Sequence, residues 1–207
     1  FKGDKLKPSD LERIAAVKDL MNSSIYRAMK LMSQLNNDNP DGVLPTEINV
    51  VLGELRKMGL GQYIDPVTNE MARISNLMVE ETQVILLESV QQIRINDAAA
   101  IILGGQNAAT QVLRNNMKTV VRDRYAERID ILLDNQDINI YWPLAARLYN
   151  SFSQKKIEPN LSLFLSESAV DVAFVMMGQQ EQELRNQPAQ IGTDVALKVF
   201  EYYQNKK

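Results

Sequence analysis

The 207-residue sequence contains no histidine and no cysteine, which removes imidazole bases, thiolate nucleophiles and zinc's usual nitrogen and sulfur ligands from its chemistry. Carboxylates, amines, guanidinium groups and hydroxyls remain. Glu181 and Arg185 stand at i, i+4 and can pair on one helix face. Asp97, Arg114 and Asp171 are candidates to join them, so these five residues form a candidate structural polar network. An ion pair is preferred over an acid–base couple because no nucleophile or oxyanion-binding motif accompanies them. Glu80 and Glu81 are adjacent and diverge around a helix. Serine–lysine catalysis stays formally possible, but no Ser-x-x-Lys run is read in the sequence. No catalytic residue, cofactor-binding residue or metal ligand is assigned, and no cofactor is expected.

Two glycine-bearing motifs invite a ligand reading. Gly104-Gly105, ahead of Ala108-Ala109-Thr110, could present backbone N–H groups to a phosphate at a helix start. However, the P-loop Lys and Ser/Thr are missing, no strand precedes, and the third glycine of a dinucleotide fingerprint is absent. Gly104, Gly105 and Thr110 are read instead as a helix-to-helix corner. Asn37-Asp-Asn-Pro-Asp-Gly42 offers oxygen ligands at alternate positions, but Ile48 stands in the twelfth place, where a calcium loop needs a bidentate Glu. This stretch is read as a plain loop.

The elements that must position these residues are helical. Ser9 and Glu12 have capping-box spacing and open a first helix that runs to about Leu35, with Leu11, Ile14, Ala15, Val17, Met21, Ile25, Met29 and Met32 as its stripe. A second helix starts at about Thr46, carries Ile48, Val51, Leu52, Leu55 and Met58, and is closed by Gly59 in a left-handed cap. Pro66 suits the first turn of a long third helix with Met71, Ile74, Met78, Ile85, Leu86, Val90 and Ile93. Asn96 is expected to cap a short helix over Asp97 to Leu103, and another resumes at Ala108 and runs to Leu133. A further helix bears Tyr141, Trp142, Leu144, Leu148 and Tyr149. The next is expected to be capped by Ser166, and the last opens near Pro188.

Strand patterns are nearly absent. The expected fold is therefore all-α, an irregular and mostly antiparallel bundle of about seven to nine helices. Residues 1–8 are expected to form a polar tail and 9–205 a single helical domain, in which a hairpin over 9–60 packs on 66–205. The 23 Lys and Arg against 26 Asp and Glu leave a net charge of −3, without the basic footprint of a nucleic-acid binder. No unbroken apolar run is longer than that of Ala98 to Leu103, far shorter than the roughly 20 residues of a spanning helix, so no transmembrane segment is expected. The sequence opens on Phe1 rather than Met, which is read as removal of an initiator or targeting segment.

Asp97-Ala98, Gly104-Gly105 and Ala108-Ala109-Thr110-Gln111 with Arg114 make up one block. Ala169, Asp171, Phe174, Glu181, Leu184-Arg185, Pro188, Thr193-Asp194 and Lys198-Val199-Phe200 make up a second. Together with Leu44-Pro45, Gly59 and Gly61, they resemble the domain of unknown function 4197 family over about residues 10 to 200. The chain departs from the family's Met-Asn-Arg-Ala-Ala-Glu run, having Met71-Ala72-Arg73-Ile74-Ser75-Asn76, and has Val112-Leu113 where the family has an aromatic pair. The resemblance implies an all-helical bacterial protein made with an export signal, hence periplasmic, and implies no activity.

Three functions from different classes stay open. The first is a non-enzymatic envelope protein that gives a helical surface to an assembly with a protein partner. The second is a carrier that holds an apolar or lipid-like molecule between helices, its cavity lined by methionines and by Tyr141, Trp142, Tyr149 and Phe152. Core packing explains the same side chains more simply. An enzyme using carboxylate and amine chemistry is the least favoured. Oligomeric state is not legible at this level.

Overall fold

The structure, a computed structural model, describes residues 6–38, 46–134 and 138–205. Among these residues there are eight α-helices and no strand: α1 (Asp10–Asp38), α2 (Thr46–Leu55), α3 (Gly61–Gln92), α4 (Ala98–Leu103), α5 (Ala108–Leu133), α6 (Ile138–Phe152), α7 (Leu161–Asn186) and α8 (Asp194–Gln204). The fold is all-α, with irregular and mostly antiparallel helix packing. The loop over Asn37 to Gly42, with its calcium-like spacing, lies largely outside the described residues.

The chain divides into two compact units, and the division falls inside α1, α3, α5 and α7. Unit 1 comprises Phe1–Lys30, Leu86–Lys118 and Phe174–Lys207; unit 2 comprises Leu31–Ile85 and Thr119–Ala173. The core of unit 1 is built from Val17, Leu20, Met21 and Ile25 of α1, Leu86 and Val90 of α3, Leu113 of α5, Phe174 and Leu184 of α7, and Val199 and Phe200 of α8. Ser9 and Glu12 close the expected capping box: the Ser9 N–H donates to Glu12 Oε2 at 2.8 Å and the Glu12 N–H to Ser9 Oγ at 3.2 Å. Leu11 and Ala15 are exposed, so the buried stripe begins a turn later, at Ala16 and Val17. Lys198 reaches Glu12 at 2.6 Å, and that bond together with the Ser9 N–H holds the Glu12 carboxyl below the usual carboxylate range.

In unit 2, Ile48, Leu52 and Leu55 of α2 are buried, as are Ile64, Met71, Ile74 and Met78 of α3 and Trp142 of α6. Gly59 has φ 83°, the left-handed conformation expected of it, inside a wide π-type turn over Arg56–Leu60 that joins α2 to α3. Arg56 clamps that corner through Asp65 at 2.9 Å and Thr68 Oγ1 at 3.2 Å. Met58, expected in the buried stripe, sits on this turn and is partly exposed.

Several boundaries differ from expectation. α3 begins at Gly61 and takes Pro66 inside it, which removes one hydrogen bond close to its start. Asp97, not Asn96, caps α4, its carboxylate accepting the Ala100 N–H at 2.9 Å. Asn160 caps α7 through the Leu163 N–H at 3.0 Å, while Ser166 is buried within the helix and bonds back to Leu163 O. Pro188 opens a short 3₁₀ turn (Pro188–Ile191), and α8 starts later, capped by Thr193 through the Ala196 N–H at 3.2 Å. In the last two cases the acceptor side chain sits three residues before the N–H it satisfies, the general rule for such caps.

By length and composition α7 is apolar enough to cross a membrane, contrary to the expectation of no such segment; polar residues punctuate it, so no long unbroken apolar run marks it in the sequence. However, 56% of its most apolar window is buried in the protein, as in a core helix of a globular domain.

Candidate functional site

Glu181 and Arg185 meet as their spacing predicts, one turn apart near the end of α7 in unit 1. The carboxylate is fully buried and the guanidinium is 8% exposed. Arg185 Nε donates to Glu181 Oε1 at 2.8 Å, and Nη2 lies 2.7 Å from the same oxygen.

The remaining capacity of both groups goes to backbone. Glu181 accepts the Ala109 N–H at 2.9 Å and the Thr110 N–H at 2.7 Å, two of the donors that the first turn of α5 leaves without an intrahelical acceptor. Arg185 donates to the carbonyls of Ile102 and Ile101, each at 2.9 Å, near the end of α4. The anion therefore sits at a helix start and the cation at a helix end, which is the sign each helix dipole favours. The guanidinium also lies over the Phe200 ring, 5.7 Å from its centroid, and Gln204 donates to Arg185 O at 2.8 Å.

This arrangement is a clamp on the α4–α5 corner. Gly104 is needed there for space: a Cβ would meet both Ala100 O and the Ala108 Cβ at 2.9 Å. Gly105 has open space around it. Thr110 contributes its N–H to the clamp, while its Oγ1 is buried without a hydrogen-bond partner. The Glu181–Arg185 pair and the expected corner are thus one assembly, while the other three members of the expected network lie outside it. Asp97 caps the opposite end of α4 from the clamp, and Arg114 is half-buried further along α5. Asp171 belongs to unit 2, where it lines a groove with Lys155, Lys156 and Glu167.

Chemistry at the clamp is unfavourable, since both carboxylate oxygens already accept hydrogen bonds from backbone and guanidinium. Against the expectation that it has none, the sequence does hold one Ser-x-x-Lys spacing, Ser153 to Lys156. Its geometry is not that of an activated serine. Ser153 Oγ donates to Lys155 O at 2.8 Å, and the Lys156 ammonium is held by the carbonyls of Asn150 and Ser153 at the end of α6. Among the described residues, no group of three or more His, Cys, Asp or Glu is placed to hold a metal.

The less ordinary surface is in unit 2. Trp142 is wholly buried, its ring 4.7 Å from that of Phe164 and its Nε1 donating to Glu158 O at 3.2 Å. The other aromatics of that cluster do not follow it inward. Tyr141 and Phe152 are exposed, and Tyr149 is half-exposed. Phe152, Leu148, Tyr149, Met58, Glu54 and Ser153 line an open groove of about 650 Å³. Tyr63 extends the same face, its ring 5.8 Å from that of Tyr141. The aromatic cluster is thus neither all core nor a closed cavity. Composition signals an apolar helix, but which of its faces is covered depends on tertiary packing.

No curated protein and no solved structure matches the chain. The family described as "Protein of unknown function (DUF4197)" matches residues 7–201, nearly the full length and both quoted blocks, and the chain belongs to that family.

Proposed function

We propose that this protein is a non-enzymatic, structural or interaction component of an assembly in the bacterial cell envelope, working through the apolar face of unit 2. One observation carries the reading. Ile140, Tyr141, Leu144, Leu148 and Phe152 of α6 are exposed together at helical spacing, on a helix whose only charged residue is Arg147. A helix that is apolar on most sides is normally covered, and a contiguous exposed apolar face marks an interaction site. The buried ion pair supports a scaffold role, since its bonds are spent on holding a helix corner.

The test is a photo-crosslinking residue at Leu148 in cells, with Leu11 in unit 1 as an exposed control. Mass spectrometry of products from fractionated cells then identifies the partner. Crosslinks in the envelope fraction at Leu148 and not at Leu11 are expected. Equal labelling at both positions, or recovery in the cytoplasm, would defeat the reading.

The carrier alternative draws on the same groove, whose 650 Å³ is within the size range of small-ligand pockets. Its opening to solvent favours a macromolecular partner, because carriers enclose most of their ligand's surface. Native mass spectrometry after incubation with envelope lipids distinguishes the two.

A further inference from the structure

We propose that unit 1 carries a binding site for a single neutral sugar ring, in the half-open pocket beside the α4–α5 corner. The pocket holds about 210 Å³. Gly105 and Gln106 of the corner, Arg185 and Asn186 at the end of α7, and Tyr203 and Gln204 of α8 form its polar wall. All of them belong to unit 1, so the inference is independent of the α6 face in unit 2.

Arg185 supplies the anchor. A guanidinium carries five N–H groups. Nε and one hydrogen of Nη2 go to Glu181, the other Nη2 hydrogen to Ile101 O, and one Nη1 hydrogen to Ile102 O. The second Nη1 hydrogen has no acceptor among the described residues, although the side chain is only 8% exposed. Buried donors are normally paired, and this one belongs to a rigidly held side chain in a pocket wall. Further capacity surrounds it. The Tyr203 hydroxyl accepts from Arg13 at 3.5 Å and keeps its own hydrogen, and Gln204 spends one Nε2 hydrogen on Arg185 O and keeps its carbonyl oxygen. The side chains of Gln106 and Asn186 bond to no described residue.

Charge decides the class of ligand. No carboxylate lines the pocket, so nothing there holds a cation. Arg185 is matched by Glu181, and Arg13 behind Tyr203 is matched by Asp10, which leaves no surplus positive charge for a carboxylate or phosphate. A neutral ligand fits. A hydroxyl donates and accepts at once, and a carboxamide does the same through its two ends. Three carboxamides, a phenol and a spare guanidinium N–H therefore suit a ring of hydroxyls better than a ligand of acceptors alone. The rings of Phe200 and Tyr203 give the rest of the wall an apolar surface, which suits the C–H face of a sugar. The volume equals about seven water molecules at liquid density, below the roughly 300 Å³ where drug-sized pockets begin, and admits one such ring.

The experiment is a ¹H–¹⁵N NMR titration of the full chain with glucose, galactose, mannose and N-acetylglucosamine, with acetate, phosphate and N-acetylglycinamide as the competing classes. At least one sugar is expected to shift the Gly105 and Gln106 amides saturably, with a dissociation constant of about 1–10 mM for a ligand of about a dozen atoms. The Trp142 indole signal in unit 2 should stay in place. Gly105→Leu is expected to abolish the shifts while circular dichroism shows an intact fold, because a Cβ at Gly105 meets nothing within 4 Å. The double variant Q106A/N186A should bind about tenfold more weakly, the worth of two neutral hydrogen bonds. No saturable shift with any of the four sugars overturns the proposal, as does binding indifferent to both variants. Tighter binding of acetate or phosphate at the same amides would make this an anion site, and tighter binding of N-acetylglycinamide a peptide site; either result also overturns it.

Discussion

Replacing Glu181 by Gln tests the clamp most directly, because shape is kept while charge and one acceptor are lost. Glu181 is fully buried and serves the Ala109 N–H, the Thr110 N–H and the Arg185 guanidinium at once. Every one of those groups is a donor. A glutamine must turn its NH₂ toward one side or the other, so donor faces donor whichever way the amide is set. An orphaned buried donor costs about 1–3 kcal/mol, and breaking a buried ion pair from one side costs about 3–5 kcal/mol. These overlap, since both count the same lost contacts, and the expected destabilisation is about 3–5 kcal/mol rather than their sum.

For a chain of this size that corresponds to roughly 10 °C in melting temperature. Urea titration followed by far-UV circular dichroism measures it, with Trp142 fluorescence as a second probe located in unit 2. The double variant E181L/R185M should not recover stability, because it leaves the Ala109 and Thr110 N–H groups and the Ile101 and Ile102 carbonyls without partners. An E181Q within about 1 kcal/mol of wild type would refute the clamp as an energetic feature.

Thr110→Val removes a buried hydroxyl that has no hydrogen-bond partner, and should raise stability by about 1 kcal/mol in the same titration; a loss would mean that the hydroxyl is satisfied in solution. Gly104→Ala forces a Cβ against Ala100 O and Ala108 and should cost about 1–3 kcal/mol, whereas Gly105→Ala, with nothing nearby, should cost under about 1 kcal/mol; equal effects would remove the close-approach argument. Burial raises the Tyr125 hydroxyl from the ordinary 10 to about 12, against the opposing effect of its bond with Thr82. A folded-state value above the unfolded one gives stability that is complete below pH 10 and is lost as pH rises from 10 to 12, here about 2–3 kcal/mol. Thermal unfolding across that window should therefore fall more steeply for wild type than for Tyr125→Phe, and parallel curves would contradict the burial of the hydroxyl.

Sequence reading reached the helices because local chemistry determines them. Ser9 and Glu12 three residues apart, Gly59 after an apolar stripe, and Glu181 and Arg185 one turn apart are all short-range patterns, and each is met in the structure. It misplaced two caps, choosing Asn96 over Asp97 and Ser166 over Asn160, each a residue of a type that also caps, and it opened the last helix too early, at Pro188 rather than after Thr193. What it could not reach was the join between its two best motifs. Glu181 lies 71 and 72 residues from the Thr110 and Ala109 N–H groups it satisfies, and no periodicity connects them. The exposure of Phe152 and Leu148 was hidden for a related reason: an apolar residue at helical spacing carries no mark of whether another helix covers it.

Unit 1 has a consequence for how the polypeptide is made. Its three segments come from the beginning, middle and end of the chain, and α1 is stitched to late residues through Thr193 to Asp19 at 2.7 Å and Ser23 to Ile191 at 2.7 Å. Those two bonds cannot form until residues 191 and 193 have left the ribosome, although Lys18 can reach Gln91 O earlier. During synthesis the start of α5 has no carboxylate to meet it until the end of α7 emerges. Unit 1 therefore completes late, and a nascent chain halted before α7 would offer its unmet apolar surfaces to chaperones or proteases.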